Sequence, residues 1–192
     1  MFMNNEKPKS LQECFERLKK GCEILSKECD YSDDYSQFGA PVCEEQIIKF
    51  ESTLNFPLPH AYREFLKFSN GARIMGDDIY SLEMIGSNDQ YVPDGYLVIS
   101  STEMTSERMA ISEEDGQVYL FWDLKGNPWN IEDYFYDQLE ECKKIIDAHD
   151  REVEQQKRRE NGISEEQEMF ELYSKLVGEE KAKLILEERK KR

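Results

Sequence analysis

The spacing of apolar residues changes after Gly71, and this change constrains the fold more than any other feature of the chain. Before Gly71 the apolar side chains recur every three or four residues, as they do along one face of a helix. After Gly71 they recur about every second residue, which is the period of a strand. The helical spacing returns beyond Asn130. The sequence therefore predicts helices at both ends and a sheet between them.

Three helices are predicted before Gly71. Ser10 and Glu13 have the spacing of a capping box, which satisfies the first free amides of a helix. A second helix begins at Glu44, where acidic side chains suit the positive end of the helix dipole. Pro59 can occupy the first turn of the third helix, and Gly71 supplies the left-handed residue that ends it. The turn-rich stretch 30–41 between the first two helices is predicted to be a loop.

Short strands with short connections follow, and they favour antiparallel pairing. The turn Glu113–Gly116 contains Asp-Gly, which is typical of a hairpin. The predicted strands are 73–75, 79–85, 96–100, 109–112 and 118–122.

The last third of the chain is predicted to be helical. A helix starts at Asn130, and if it continues to Glu160 it spans about 45 Å, at about 1.5 Å per residue. That is longer than a small core can cover. The apolar residues further along must be buried either by folding back or against another chain. We therefore expect three parts: residues 1–40 with a helix and a loop, a domain at 41–150, and a charged helical extension at 151–192.

Negative charge is concentrated in the middle of the chain. The 192 residues carry 41 acidic and 25 basic side chains, a net charge of −16. Residues 1–40 hold 6 basic and 8 acidic side chains (−2), residues 41–150 hold 8 and 22 (−14), and residues 151–192 hold 11 of each (zero). Such a chain is not expected to bind nucleic acid directly or an anionic membrane, because both need surplus cations. Without a membrane-length apolar run or an apolar signal sequence, we expect a cytoplasmic protein.

Motifs for catalysis or metal binding are missing from the sequence. The five cysteines form no C-x-x-C pair, and Cys14 and Cys142 fall at apolar helical positions that favour core packing. The two histidines, His60 and His149, stand next to no cysteine, so we expect no metal site. No P-loop or dinucleotide motif occurs, so we expect no cofactor and no enzyme. A hydrolase that uses paired carboxylates stays open as an alternative.

The stretch from Glu44 to Ile85 carries an ordered set of short motifs. They are an Ile-x-x-Phe-Glu helix, a Leu-Pro break, a helix with two aromatic residues, Asn-Gly, and an Ile-Tyr-x-Leu strand, at Ile47, Phe50, Glu51, Leu58, Pro59, Tyr62, Phe65, Asn70, Gly71, Ile79, Tyr80 and Leu82. This pattern resembles the SUKH superfamily, whose members include fungal cell-wall assembly regulators and bacterial immunity proteins. The resemblance extends over residues 41–150. It implies an α+β fold with a central, mainly antiparallel twisted sheet, N-terminal and C-terminal helices packed against it, and here a C-terminal helical extension.

The resemblance implies binding rather than chemistry. Bacterial members of the family neutralise toxins, often nucleases, by covering them, and an acidic surface suits the basic cleft of a nuclease. The expected partner is therefore a basic toxin domain. The alternative is a regulatory interaction module like the fungal members, with the protein a monomer or a dimer through its C-terminal helices. The expected contact residues are Asp77, Asp78, Asp94, Glu113, Glu114, Asp115 and Trp122.

Overall fold

Helices enclose two small sheets in the first part of the chain, and two more helices follow. The computed structural model describes residues 6–29, 36–54, 56–86, 93–102, 108–160 and 165–190. The helices are α1 (Leu11–Glu28), α2 (Glu44–Glu51), α3 (His60–Phe68), α4 (Ile131–Glu160), α5 (Glu165–Val177) and α6 (Glu179–Lys190). The strands are β1 (Ser36–Phe38), β2 (Ala72–Ile74), β3 (Asp77–Ile79), β4 (Tyr96–Val98), β5 (Ser100–Thr102), β6 (Met109–Ser112) and β7 (Val118–Leu120). The predicted α+β class is confirmed.

Every strand pair in the described residues is antiparallel, as predicted. One sheet has the order β1-β2-β3-β5, and the other has the order β4-β6-β7. A single residue, Ile99, joins them. Its amide donates to the Met109 carbonyl at 2.9 Å, and its carbonyl accepts from the Tyr80 amide at 2.9 Å. β4 and β5 therefore form one extended run whose first half pairs in one sheet and whose second half pairs in the other.

Three aromatic side chains from different helices meet in the core. The Phe65 ring of α3 stacks on the Phe135 ring of α4, with centroids 4.9 Å apart, and Phe15 of α1 meets both edge-on. All three side chains are buried. Cys14 and Cys142 are also fully buried, which confirms their predicted place in the core. The N-terminal helix thus packs against both α3 and α4.

The predicted helix boundaries are largely confirmed. The Ser10 hydroxyl accepts the Glu13 amide at 3.2 Å, but the Glu13 carboxylate accepts the Lys9 amide at 2.7 Å, one residue earlier than in a standard capping box. Pro59 precedes the first residue of α3, and Gly71 has the expected positive φ of 80°. The α4 helix begins after Asn130, whose side-chain oxygen accepts the Glu132 amide at 3.1 Å.

Three of the predictions for the sheet region are wrong. The strand predicted at 79–85 covers instead the last residue of β3 and a turn, in which the Met84 amide donates to the Ser81 carbonyl at 2.9 Å. β1 lies inside the predicted loop 30–41, where residues 36–38 pair with β2; residues 30–35 of that loop are outside the described part. Trp122 was expected to end a strand, but it lies in a 3-10 helix, Phe121–Asp123.

The chain forms two compact units, Met1–Ile146 and Asp147–Arg192. In the second unit α5 and α6 form a helical hairpin around Gly178, which has a positive φ of 85°. Ala182 of α6 is fully buried there. The domain limits expected from the sequence stay a prediction. Among the described helices none is both long enough and apolar enough to cross a membrane.

Candidate functional site

Four of the expected contact residues lie together at one end of the β4-β6-β7 sheet. Glu113, Glu114 and Asp115 form the turn between β6 and β7, and the Glu113 amide donates to the Gly95 carbonyl at 2.8 Å. This hydrogen bond places Asp94, which precedes Gly95, beside the turn. We call the four residues Asp94, Glu113, Glu114 and Asp115 the acidic end.

The turn of the acidic end has a fixed backbone. Gly116 has a φ of 70°, a region that favours glycine, and its amide donates to the Ser112 carbonyl at 2.9 Å. The Ser112 hydroxyl accepts the Glu114 amide at 3.2 Å. The Asp-Gly pair was a good predictor of this hairpin because the turn needs a residue in the left-handed conformation at its end, and Gly116 supplies it.

The carboxylates of the acidic end are exposed to solvent. Asp115 accepts the Gln117 amide at 2.9 Å and the Tyr119 hydroxyl at 2.7 Å, and these bonds lower the pKa of the Asp115 carboxyl. The same contact raises the pKa of Tyr119 to about 12. In the described part of the chain Asp94, Glu113 and Glu114 form no ion pair. The acidic end therefore presents negative charge that no neighbouring cation offsets.

Two other expected residues, Asp77 and Trp122, line a cavity of about 210 Å³. One Asp77 carboxylate oxygen accepts the Tyr134 hydroxyl at 3.2 Å and the Gln138 amide group at 3.1 Å. Burial, and then the Asp77 charge, raise the pKa of Tyr134 well above its ordinary value. The tyrosine hydroxyl therefore keeps its proton and donates to Asp77.

Both tryptophans of the chain lie in the wall of this cavity. Trp129 is partly buried against the core, and its ring meets Tyr134 edge-on at a centroid distance of 6.0 Å. Trp122 is 59% exposed. The Trp129 amide donates to the Val118 carbonyl at 2.7 Å, and the Phe121 amide donates to the Arg108 carbonyl at 2.9 Å. These bonds fix the backbone on both sides of the loop that carries Trp122.

The expected contact residues thus occupy three separate places: the acidic end, the cavity, and the opposite face of β3, where Asp78 lies. Asp77 pairs with Thr102 at one end of the β4–β5 run, whereas Gly95, beside Glu113, lies at the other end. From Gly95 to Thr102 the run covers seven residue steps, or about 23 Å at about 3.3 Å per residue. Asp78 points to the opposite face of β3 from Asp77, and its carboxylate lies 3.9 Å from Arg73 Nε.

Some residues of the cavity could not be recognised from the sequence. Tyr134, Asp137 and Gln138 follow one another at helical spacing on α4, and Arg108 precedes β6. Their spacing indicated a helix face, but it gave no sign that β3 lies against it. The contact between Asp77 and Tyr134 joins positions 57 residues apart in the chain.

The histidines lie in ordinary surroundings. His60 is exposed at the start of α3, beside a second cavity of about 420 Å³ that Pro128, Trp129 and Glu132 also line. His149 Nδ1 lies 3.9 Å from the carboxylate of its neighbour Asp150. Within the described ranges no three His, Cys, Asp or Glu side chains come together in a group that could hold a metal ion.

Comparison with known protein families matches residues 41–147, more than half of the chain, to the SMI1 / KNR4 family (SUKH-1). The matched range contains both the acidic end and the cavity. This family includes bacterial immunity proteins and the fungal SMI1/KNR4 proteins. A search of curated proteins finds no significant match. On the strength of the family match, the chain belongs to the SMI1/KNR4 (SUKH-1) family.

Proposed function

We propose that this protein is an immunity-type protein, which binds and neutralises a basic toxin domain through its acidic end. A nuclease is one toxin of this kind, because its cleft must carry cations to hold phosphate. The inhibitor then acts by covering that cleft. The proposal assigns binding, and no chemical step, to the protein.

The acidic end is the observation that carries this proposal. Among the described residues, three of its exposed carboxylates form no ion pair: Glu113 and Glu114, on a hairpin whose backbone is fixed by hydrogen bonds, and Asp94 beside that hairpin. A fixed charged surface loses little conformational freedom on binding, so more of its electrostatic attraction is retained as affinity. Residues 41–150, with a net charge of −14, add a favourable long-range field for a cationic partner.

A catalytic role has less support. Proteins of the SUKH family are generally non-catalytic. Asp77 and Asp137 both line the 210 Å³ cavity, but Asp137 is exposed and Asp77 accepts two hydrogen bonds that stabilise its charged form. A carboxylate pair for hydrolysis needs one member kept protonated by burial. This cavity does not favour that arrangement.

The proposal is tested with the toxin domain encoded beside this protein. Binding is measured by calorimetry for the unchanged protein and for the variant D94N/E113Q/E114Q. We expect the variant to bind at least about tenfold more weakly, because it loses three exposed charges that face the cationic partner. A second measurement, protection of the nuclease substrate by each variant, should follow the same order.

The matched control is E16Q/E23Q/E140Q. It removes three exposed carboxylates from α1 and α4, within the same unit of the protein, and changes the net charge by the same amount. We expect its affinity to stay close to that of the unchanged protein. Equal losses for both variants would show that only net charge matters. Tight binding by D94N/E113Q/E114Q would contradict the assignment of the acidic end.

A second candidate function, a regulatory interaction module, draws on the α5–α6 hairpin. Leu172, Leu176 and Leu184 are exposed there, Leu176 to 70%. Residues 151–192 carry equal numbers of acidic and basic side chains, so two copies of this segment do not repel each other. The occupant that we propose for this surface is therefore a second copy of the chain.

Deletion of residues 161–192 separates the two candidates. If the extension forms a dimer, the full chain sediments as a dimer and the shortened chain as a monomer. The double variant L172S/L176S should give the same result without a deletion. A full chain that is monomeric at 100 µM or above would exclude self-association of this kind. Toxin binding by the shortened chain should stay unchanged if the acidic end is the contact surface.

A further inference from the structure

The size of the cavity beside Asp77 limits what can enter it. Its volume is about 210 Å³. Pockets for drug-sized ligands usually hold about 300–1,000 Å³. A cavity of this size suits a single amino-acid side chain.

The charged groups of the cavity favour a cation. Two carboxylates, Asp77 and Asp137, line it against one cation, Arg108. Asp137 is exposed and forms no ion pair within the described ranges. Tyr134 and Gln138, both neutral donors, hold the Asp77 carboxylate in place by hydrogen bonds at 3.2 and 3.1 Å.

The aromatic side chains of the cavity favour a flat cation. The exposed Trp122 ring and the partly buried Trp129 ring both line the cavity. Indole is the side chain whose face attracts cations most strongly. A guanidinium group is planar, stacks on aromatic rings and bonds carboxylates with two parallel N–H groups, whereas an ammonium group does none of these as well.

We propose that this cavity receives one arginine side chain of the protein partner, stacked against Trp122 and bonded to the carboxylate of Asp137. The inference rests on the proposed function, because it requires a basic protein partner. It adds a second contact, separate from the acidic end. The acidic end attracts a cationic surface in general, and the cavity selects a partner with an arginine at the matching position.

The proposal can be tested without the partner. The chain has only two tryptophans, and both line the cavity. Trp129 also lines the second cavity, so the indole signal of Trp122 is the one that reports on this place. The two indole N–H resonances are followed during titration with N-acetylarginine amide at constant ionic strength. N-acetylcitrulline amide is the control probe, because it has nearly the same shape and no charge. We expect a saturable shift with the arginine probe and at least about tenfold weaker binding of the citrulline probe.

Two variants locate the binding groups. D137N removes the exposed carboxylate. W122L removes the exposed ring, and Trp129 remains as the reporter. Each variant should bind the arginine probe about fivefold more weakly, or less tightly still. E23Q removes one exposed carboxylate from α1, away from the cavity and the acidic end, and should leave binding of the probe unchanged. Urea unfolding of each variant is measured in parallel, to show that the variant is folded and that any loss of binding is not caused by misfolding.

Several outcomes would overturn the proposal. Equal binding of the arginine and citrulline probes would mean that shape alone matters, and unchanged binding by D137N would remove the carboxylate contact. Indole shifts with N-acetylaspartate amide, in place of the arginine probe, would mean that Arg108 makes this an anion site. Failure of the proposed function looks different: D94N/E113Q/E114Q then retains partner binding, whatever the arginine probe does in the cavity.

Discussion

Residues of the family pattern in this chain hold the backbone at turns. One Glu51 carboxylate oxygen accepts the Leu58 amide at 2.9 Å and Arg63 Nε at 3.2 Å, so it joins the end of α2 to the start of α3. Asn70 acts in the same way, because its side-chain oxygen accepts the Leu82 amide at 2.8 Å. The family motif is therefore made of residues that hold turns together. These residues have structural roles, and none of them belongs to the acidic end.

We predict that Glu51 contributes more to the free energy of unfolding than an ordinary surface carboxylate does. Glu51→Ala leaves the Leu58 amide and the Arg63 side chain without this acceptor, and should lower the free energy of unfolding by about 1–3 kcal/mol. Glu51→Gln keeps an oxygen for Leu58 and should cost less. Urea unfolding monitored by circular dichroism measures both. Equal effects of the two substitutions would mean that the charge next to Arg63, and not the acceptor, is what matters.

A pH-dependent contribution to stability is expected from Glu44. Hydrogen bonds from Arg63 and then Lys67 lower the pKa of the Glu44 carboxyl from its ordinary 4.5 to about 2. Since the folded-state pKa is the lower one, the contribution is present above pH 4.5 and is lost as the pH falls towards 2. Glu44→Gln should therefore flatten the fall in stability over that range. Glu23→Gln, which removes an exposed carboxylate from α1, is the control, and an identical slope for both variants would refute the prediction.

At the scale of elements, α1 is the part of the core that the family match leaves out. The match begins at residue 41, yet α1 buries Phe15, Leu18 and Leu25 almost completely, and Phe15 lies against rings of both α3 and α4. A 3.6-residue apolar stripe of this kind has no stability of its own in water and needs a partner surface. The family domain and α1 therefore form one core in this chain.

We predict that the domain does not fold stably without α1. A chain that begins at residue 41 should be insoluble or lack a cooperative thermal transition, because the faces of α3 and α4 that meet Phe15 become exposed. The substitution Leu18→Ala tests the same packing in the full chain. Because Leu18 is fully buried, it should lower the free energy of unfolding by about 2–5 kcal/mol. Leu11→Ala, at a partly exposed position of the same helix, is the control. A folded chain from residue 41 would show that α1 is only an accessory.

The elements that periodicity predicted well are those whose signal is local. The stripe of α1 and the start of α4 at Asn130 follow from spacing and capping alone. The strand expected at 79–85 failed because Ile79, Leu82 and Ile85 are buried at a spacing of three, and the Asn70 side chain takes the Leu82 amide that a strand would use for pairing. β1 has only three residues, Ser-Gln-Phe, whose types do not alternate between apolar and polar, so its pairing with β2 is what defines it as a strand.

In the candidate site, too, the part with a local sequence signal was predictable and the part formed by distant residues was not. The acidic end was predictable, because an Asp-Gly turn with adjacent carboxylates lies within a short stretch of sequence. The cavity was not, although Asp77 and Trp122 were both expected at a contact surface. Its wall depends on Asp77 meeting Tyr134 and Gln138 of α4, and a contact between such distant positions leaves no pattern in a single sequence.

For the whole molecule, charge separates the parts more clearly than shape does. Residues 41–150 carry −14, while residues 151–192 are neutral overall. Like charges repel within the first range, which lowers its stability to some degree and keeps copies of the domain apart. The neutral extension has no such barrier. One chain thus combines a surface suited to a cationic partner with a segment whose exposed leucines can meet an equal copy.

The reach of this field gives a kinetic prediction that affinity alone does not test. At about 0.01 M salt the screening length is about 30 Å, comparable to the width of a small domain, whereas at 0.15 M it is about 8 Å. At low salt D94N/E113Q/E114Q and its control E16Q/E23Q/E140Q should both slow association with the toxin domain, because a carboxylate anywhere on the domain contributes to attraction. At 0.15 M only the acidic-end variant should associate more slowly, by about three- to tenfold, since the charges removed from the helices are then screened from the interface. Stopped-flow association at the two salt concentrations measures this difference. If the two variants associate equally slowly at 0.15 M, the acidic end does not contact the toxin domain directly. The contact surface must then lie elsewhere on the domain.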